Sequence, residues 1–193
     1  MGGDDRLSSV AYQAQNGLSE ALMRYISTRG TAPILGFGEA MLTGLARDGG
    51  LYVPESIPQM GAGDIAALAG VSYEEAAYRV IAPFIGDAFS EGEIRTAIGA
   101  AYAGFDHRAR APLVQLAPGH FLLELFHGPT LAFKDFAMQL IGQLFQIALA
   151  RDGRRIRQVS RHPAAVQAGD ELTTADLLDE RATADAVAGS EVV

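Results

Sequence analysis

Between Leu113 and Ala150 two short apolar runs are separated by turn residues and followed by one long amphipathic stretch, an order that calls for a hairpin leading into a helix. Leu113–Leu116 and Phe121–Phe126 have strand length, and Ala117-Pro118-Gly119-His120 supplies turn chemistry between them. Glu124 is the lone charge in its run. His127-Gly128-Pro129-Thr130 then makes a second tight turn, and Phe136, Leu140, Leu144 and Ile147 recur at helical spacing from near Phe133 to Ala150, where Asp152 and Gly153 stop the pattern.

Upstream, two Ser-x-x-Glu capping boxes, Ser72 with Glu75 and Ser90 with Glu93, predict helices running to Phe84 or Ile85 and to Tyr102. Arg24–Thr28 reads as a short strand closed by Gly30 and Pro33. Glu39–Ala46 places Met41, Leu42 and Leu45 at helical spacing, with Asp48-Gly49-Gly50 as its end, and Leu51–Val53 is extended up to Pro54. Residues 1–22, interrupted by Gly17, are expected to form a flexible extension. Beyond Ile156 aromatics vanish, and residues 164–193 carry seven acidic side chains against the single Arg181. One helix, capped by Thr173 with Asp176 and striped by Leu177, Leu178, Ala182, Ala186 and Val187, competes there with terminal disorder.

The net charge of −8 leaves no electrostatic footprint for nucleic acid. The basic stretch Arg151–Pro163 is a local exception, read either as an anion contact or as a solvated linker. No run reaches the ~20 apolar residues of a membrane-spanning helix, and the N-terminus lacks a secretory pattern, so no membrane partner and a cytoplasmic location are expected. The absence of cysteine excludes disulfides and thiolate chemistry. His107, His120, His127 and His162 have no metal-site spacing, and no metal is expected.

Lys134 is the only lysine, against fourteen arginines. One reading makes it an ordinary surface residue near a helix start. The other takes its neighbours Phe133 and Phe136 and the positive end of the helix dipole as surroundings that favour a neutral amine, the form that attacks an aldehyde to make an imine. Arginine cannot do this chemistry. In that second reading Asp135 opposes the effect unless its side chain finds another partner. The His127–Thr130 turn is either a plain strand-to-helix connection or a device that brings backbone close to whatever Lys134 touches. Ser27, Thr28 and Arg29 could meet a phosphate, but a strand end satisfied by its own polar neighbours is the stronger reading. Tyr25 and Tyr52 read as packing residues.

Leu123–Phe136 (LELFHGPTLAFKDF) resembles the lysine motif of the threonine synthase family. A second, separate stretch resembles that family's N-terminal domain: Met23–Gly30 (MRYISTRG), Glu39-Ala40, Gly44-Leu45-Ala46, Asp48–Glu55 (DGGLYVPE) and Phe84–Asp87 (FIGD). The resemblance spans about Met23 to Arg155. It implies a small N-terminal α/β domain at residues 23–105, then the beginning of a fold-type-II, tryptophan synthase β-like domain at 106–155, left incomplete. It further implies that Lys134 is both the catalytic residue and the one that carries pyridoxal 5'-phosphate as a Schiff base. The implied reaction converts O-phospho-L-homoserine and water to L-threonine and phosphate, with the freed amine as base and acid.

After Arg155 the resemblance stops. The family continues with a strand and a Gly/Ser/Thr-rich anion loop of the GATSGDTG kind, whereas residues 156–193 read as a divergent acidic tail. The chain is therefore expected to be an inactive or impaired fragment, whose unfinished sheet would leave edges open to self-association. The competing reading is a noncatalytic interaction module derived from the same family.

Overall fold

The computed structural model describes residues 23–151, 153, 157–160, 171–176 and 178–190. The expected extension at 1–22, the stripe residue Leu177 and most of the basic stretch after Arg151 lie outside the described residues. In order, the elements are β1 (Tyr25–Ser27), α1 (Phe37–Thr43), β2 (Tyr52–Pro54), α2 (Ala62–Ala66), α3 (Tyr73–Ile85), α4 (Glu91–Tyr102), β3 (Leu113–Ala117), β4 (His120–Leu123), α5 (Asp135–Arg151), β5 (Arg157–Ser160), β6 (Glu171–Thr174) and α6 (Glu180–Val187). This is the expected mixed α/β class. The chain forms two compact units that divide between Leu140 and Ile141, inside α5.

In the first unit β1 and β2 pair antiparallel, with Ile26 opposite Val53. Tyr25 lies buried as expected, its hydroxyl donating to the carbonyl of Phe84 at 2.8 Å and its ring edge-on to Phe37 at 5.8 Å. The strand is thereby tied to the end of α3. Tyr52 is half-buried and donates to the carbonyl of Pro33. The first helix departs from expectation at both ends: it begins at Phe37 and stops at Thr43, because Gly44 turns into the left-handed region at φ 69° and its N–H closes the last turn on Ala40. Leu45 consequently leaves the helix and bridges to Leu51 instead.

Helices α3 and α4 end where their sequence signals place them, at Ile85 and Tyr102. Both boxes are not equal, however. Ser90 and Glu93 cap reciprocally, whereas Ser72 accepts the Glu75 amide while the Glu75 carboxylate turns to Arg79 and Arg95, both at 2.7 Å. A guanidinium pair outcompetes one backbone amide for a charged acceptor. The core of this unit is Ile85, Phe89, Ile94, Ala97, Ile98, Ala101 and Tyr102, all under 5% exposed.

The hairpin β3–β4 forms as expected, with Leu113 opposite Leu123 and a bulge between Gln115 and Ala117. Regular pairing ends at Leu123, short of Phe126. Every residue of both strands is exposed.

The second unit corrects the reading of the tail. Arg157–Ser160 and Glu171–Thr174 pair as parallel strands, so Thr173 lies in a strand and caps nothing. The helix begins at Glu180, and its cap is Asp179, which accepts the amides of Arg181 and Ala182. Arg157 binds Glu171 at 2.7 Å and donates to the carbonyls of Ala186 and Ala188, which join the strand pair to the C-terminal end of α6. The alternation of Val159 with polar neighbours and the Leu172-Thr173-Thr174 run are the strand signals that acidic composition obscured.

Truncating the α4 core tests the packing. Ile98→Ala removes a fully buried side chain and is expected to lower unfolding free energy by about 2–5 kcal/mol in urea titrations, with helical content of the remaining native state retained.

Candidate functional site

The Lys134 segment is assembled by three clamps. The first is aromatic: Tyr73 meets Tyr102, Tyr102 meets Phe105 and Phe105 meets Phe136 edge to face, with centroids 4.9 Å apart for Tyr73–Tyr102 and 5.0 Å for Phe105–Phe136. The Tyr102 hydroxyl donates to the carbonyl of Phe136 at 2.9 Å, so the first turn of α5 is fastened to the end of α4. Burial pushes the Tyr102 phenol well above its ordinary range, and it stays a neutral donor.

The second clamp sits on the strand side of the turn. His127, whose side chain is 14% exposed, places Nδ1 3.0 Å from Asp106 and Nε2 2.7 Å from Glu124. With a carboxylate at each ring nitrogen the doubly protonated imidazolium is favoured, and the His127 pKa is raised, first by Glu124 and then by Asp106. The backbone follows suit, since the Asp106 amide donates to the His127 carbonyl at 3.1 Å. The His107 ring lies 4.9 Å from that of His127. Among the described residues no group of three side chains converges to hold a metal ion.

The third clamp sits on the helix side. Asp135 is 3% exposed, and its two oxygens accept from the amide and the hydroxyl of Thr130, each at 2.8 Å. Gly128 packs against it so closely that a Cβ there would lie 2.5 Å from the Asp135 carboxylate. Between the clamps the Leu131 amide donates to the Gly128 carbonyl, and Leu131 adopts a left-handed φ of 60°. For a leucine that conformation costs about 1–2 kcal/mol, and it persists because the bonds on either side over-determine it.

Lys134 stands at the mouth of this construction. It directly precedes α5, its carbonyl accepts the amides of Ala137 and Met138, and its side chain is exposed. The apolar enclosure expected from Phe133 and Phe136 is not found: Phe133 is 65% exposed, because the inward positions at the helix start are taken by Asp135 and Phe136. The structure thus brings Lys134 next to the locked turn but leaves the residue exposed. Asp135 has the separate partner that a reactive lysine beside it requires.

The other candidate cluster behaves as a strand end satisfied by its neighbours. Asp48 accepts from the Ser27 hydroxyl at 2.7 Å, from the Thr31 amide and hydroxyl, and from the amides of Ala32 and Gly50. Thr28 accepts the Leu51 amide, and Arg29 donates to the Asp48 carbonyl. A Cβ at Gly50 would collide with the Ser27 hydroxyl. Ser27, Thr28 and Arg29 are therefore joined to the DGG turn and do not converge with Lys134 into one described site.

The Asp48 and His127 clusters were not legible as clusters. The i,i+3 spacing of Glu124 and His127 and the lone charge of Glu124 in an apolar run were the available signals; Asp106 and Thr130 carried none.

Residues 24–102 match the family model described as threonine synthase N terminus. Over 134 residues, 69% of this chain, the sequence is 50% identical to a threonine synthase of Pseudomonas aeruginosa, of which it covers 29%. It is 44% identical over 128 residues to a threonine synthase of Schizosaccharomyces pombe, covering 66% of this chain and 25% of that one. Among solved structures, a pyridoxal-phosphate-bound threonine synthase from Brucella melitensis superposes with a TM-score of 0.68 at 51% identity, over 72% of this chain and 30% of that one. The yeast threonine synthase superposes at 0.66 and 33% identity, over the same share of each. The chain spans less than a third of the length of the curated relatives it matches.

The two charge clusters respond oppositely to pH. The Asp48 carboxyl is held far below its ordinary range, chiefly by the Ser27 hydroxyl, so its contribution to stability is complete above about pH 4 and is lost on acidification. Asp48→Ala should lower the urea midpoint at neutral pH and flatten its acid dependence. His127 has a raised pKa, so its contribution is complete below about pH 6.5 and is lost as pH rises through the folded value. His127→Gln should abolish the alkaline part of the wild-type decline in urea midpoint.

Proposed function

We propose that this chain belongs to the threonine synthase family, as the match over residues 24–102 and the 50% identity over 134 residues support, and that Lys134 is the lysine that carries pyridoxal 5'-phosphate and acts in catalysis. The reaction is that of a carbon–oxygen lyase converting O-phospho-L-homoserine and water to L-threonine and phosphate. Residues 23–105 serve as the N-terminal domain and 106–155 as the start of the catalytic domain, a division supported by the family match over 24–102.

One observation carries the reading: the only lysine in the chain sits, exposed, at the start of α5, directly after a turn held on both flanks by part-buried hydrogen bonds. An accessible primary amine fits the aldehyde end of the cofactor. The phosphate end is less well served. At the start of α1, α2, α3, α4 and α6 an amide is already bonded to the helix's own Glu39, Asp64, Ser72, Ser90 or Asp179, and at α5 the Asp135 carboxylate is turned to Thr130. In those five helices one first-turn amide is thereby already taken. When bound, the cofactor supplies an electron sink. What this chain itself provides is the Lys134 Nζ as the atom that accepts and returns a proton, and a rigid backbone that aims it.

Mixing the 193-residue chain with pyridoxal phosphate, trapping with borohydride and mapping the peptides tests the assignment. The expected result is an adduct on Lys134 that saturates only well above micromolar cofactor and disappears in Lys134→Arg. Label confined to the N-terminal amine would overturn it. Phosphate release from O-phospho-L-homoserine reads the full reaction.

A noncatalytic docking role is the second reading, favoured by the hairpin, where Leu113, Leu116 and Phe121 are all more than half exposed. Absence of a Lys134 adduct, together with concentration-dependent self-association, would favour it.

A further inference from the structure

We propose that Asp135 is a positioning residue for Lys134, with Thr130 as its keeper: the Thr130–Asp135 pairing holds the helix-start carboxylate away from the lysine beside it. The proposal rests on the assignment of Lys134 above and adds residues to it.

An acid next in sequence to an imine-forming lysine is a liability, because an ion pair would keep the amine as ammonium. Here the acid is withdrawn. Both Asp135 oxygens accept from Thr130 at 2.8 Å, one from the amide and one from the hydroxyl. The carboxylate is 3% exposed, whereas Lys134 is exposed. No ion pair joins Lys134 to Asp135 among the described residues. A buried carboxylate keeps whatever donors satisfy it, since an unpaired charge inside the fold is expensive. Gly128 leaves room for the carboxylate where any side chain would press on it.

The same bonds fix the peptide that carries the lysine. The Asp135 amide donates to the Ala132 carbonyl, the Lys134 carbonyl accepts from Ala137 and Met138, and the Phe136 carbonyl, two residues on, accepts from Tyr102. Lys134 is therefore mobile only in its own side chain. Orientation of this kind reduces the entropy lost when the amine meets its target.

The test is site-resolved labelling of the full chain by formaldehyde with cyanoborohydride, using the N-terminal amine as internal standard and pyridoxal phosphate as a second probe. Thr130→Val removes the hydroxyl donor and frees one carboxylate oxygen to reach Lys134. Labelling of Lys134 relative to the standard should slow on the order of tenfold. Thr130→Ser should restore the wild-type rate, and adding Asp135→Asn to Thr130→Val should relieve the slowing by removing the charge. Should Thr130→Val not fold, Gly128→Ala, which forces a Cβ against the same carboxylate, is read by the same assay. A folded Thr130→Val or Gly128→Ala protein with an unchanged Lys134 rate would overturn the proposal, as would slowing that Asp135→Asn leaves in place. Failure of wild type to form a pyridoxal phosphate adduct on Lys134 would sink the functional assignment alone, since the formaldehyde comparison reads the pairing without the cofactor.

Discussion

A carboxylate that folding takes out of water must be met by donors, and Asp135 meets its two on Thr130, five residues back. That requirement shapes everything between them. The chain has to double back at Gly128-Pro129, Gly128 has to be small, and Leu131 has to accept a conformation leucines avoid. Lys134 is carried on the inside of this loop of constraints while its side chain stays outside the core. The segment is held by part-buried hydrogen bonds, from Thr130 to Asp135 within the turn and from Tyr102 to Phe136 across to α4.

The His127 clamp complements that lock on the other flank. Asp106 follows α4 and Glu124 follows β4, so the imidazole between them ties the hairpin's exit to the helical pair. The two flanks are built differently: the Asp135 carboxylate is satisfied by the amide and hydroxyl of Thr130, whereas the His127 ring lies between two carboxylates. A segment held in both ways has little freedom to reorient its amine, whatever the exposed hairpin beside it contacts. The Asp48 cluster plays the equivalent part around β1, where five donors converge on one carboxylate and join the YISTRG and DGGLYVPE stretches.

Legibility varied with the range of the interaction. Ser72 and Ser90 announced α3 and α4, and both ended within a residue of their expected limits, because capping and hydrophobic spacing are written in neighbours three and four apart. Pro118-Gly119 announced the hairpin for the same reason. The first helix was misjudged because Leu45 has helical spacing but Gly44, one position earlier, has the conformational freedom that ends the helix. The strands β5 and β6 were missed because parallel pairing is a long-range decision that acidic composition does not record.

From the sequence alone came the positions of the main helices and the singular lysine, which depend on local spacing and residue type, and a resemblance to the threonine synthase family that implied the α/β class. What only the tertiary structure decided was which charges meet: Asp135 with Thr130 and away from Lys134, His127 with Asp106 and Glu124, Asp48 with Ser27. It also decided that Lys134 and Phe133 are exposed, against the enclosure the phenylalanine neighbours suggested. The reason is geometric. Which of two adjacent side chains turns inward at a helix start is set by the surface that α4 presents to it, and no spacing along the chain encodes that surface.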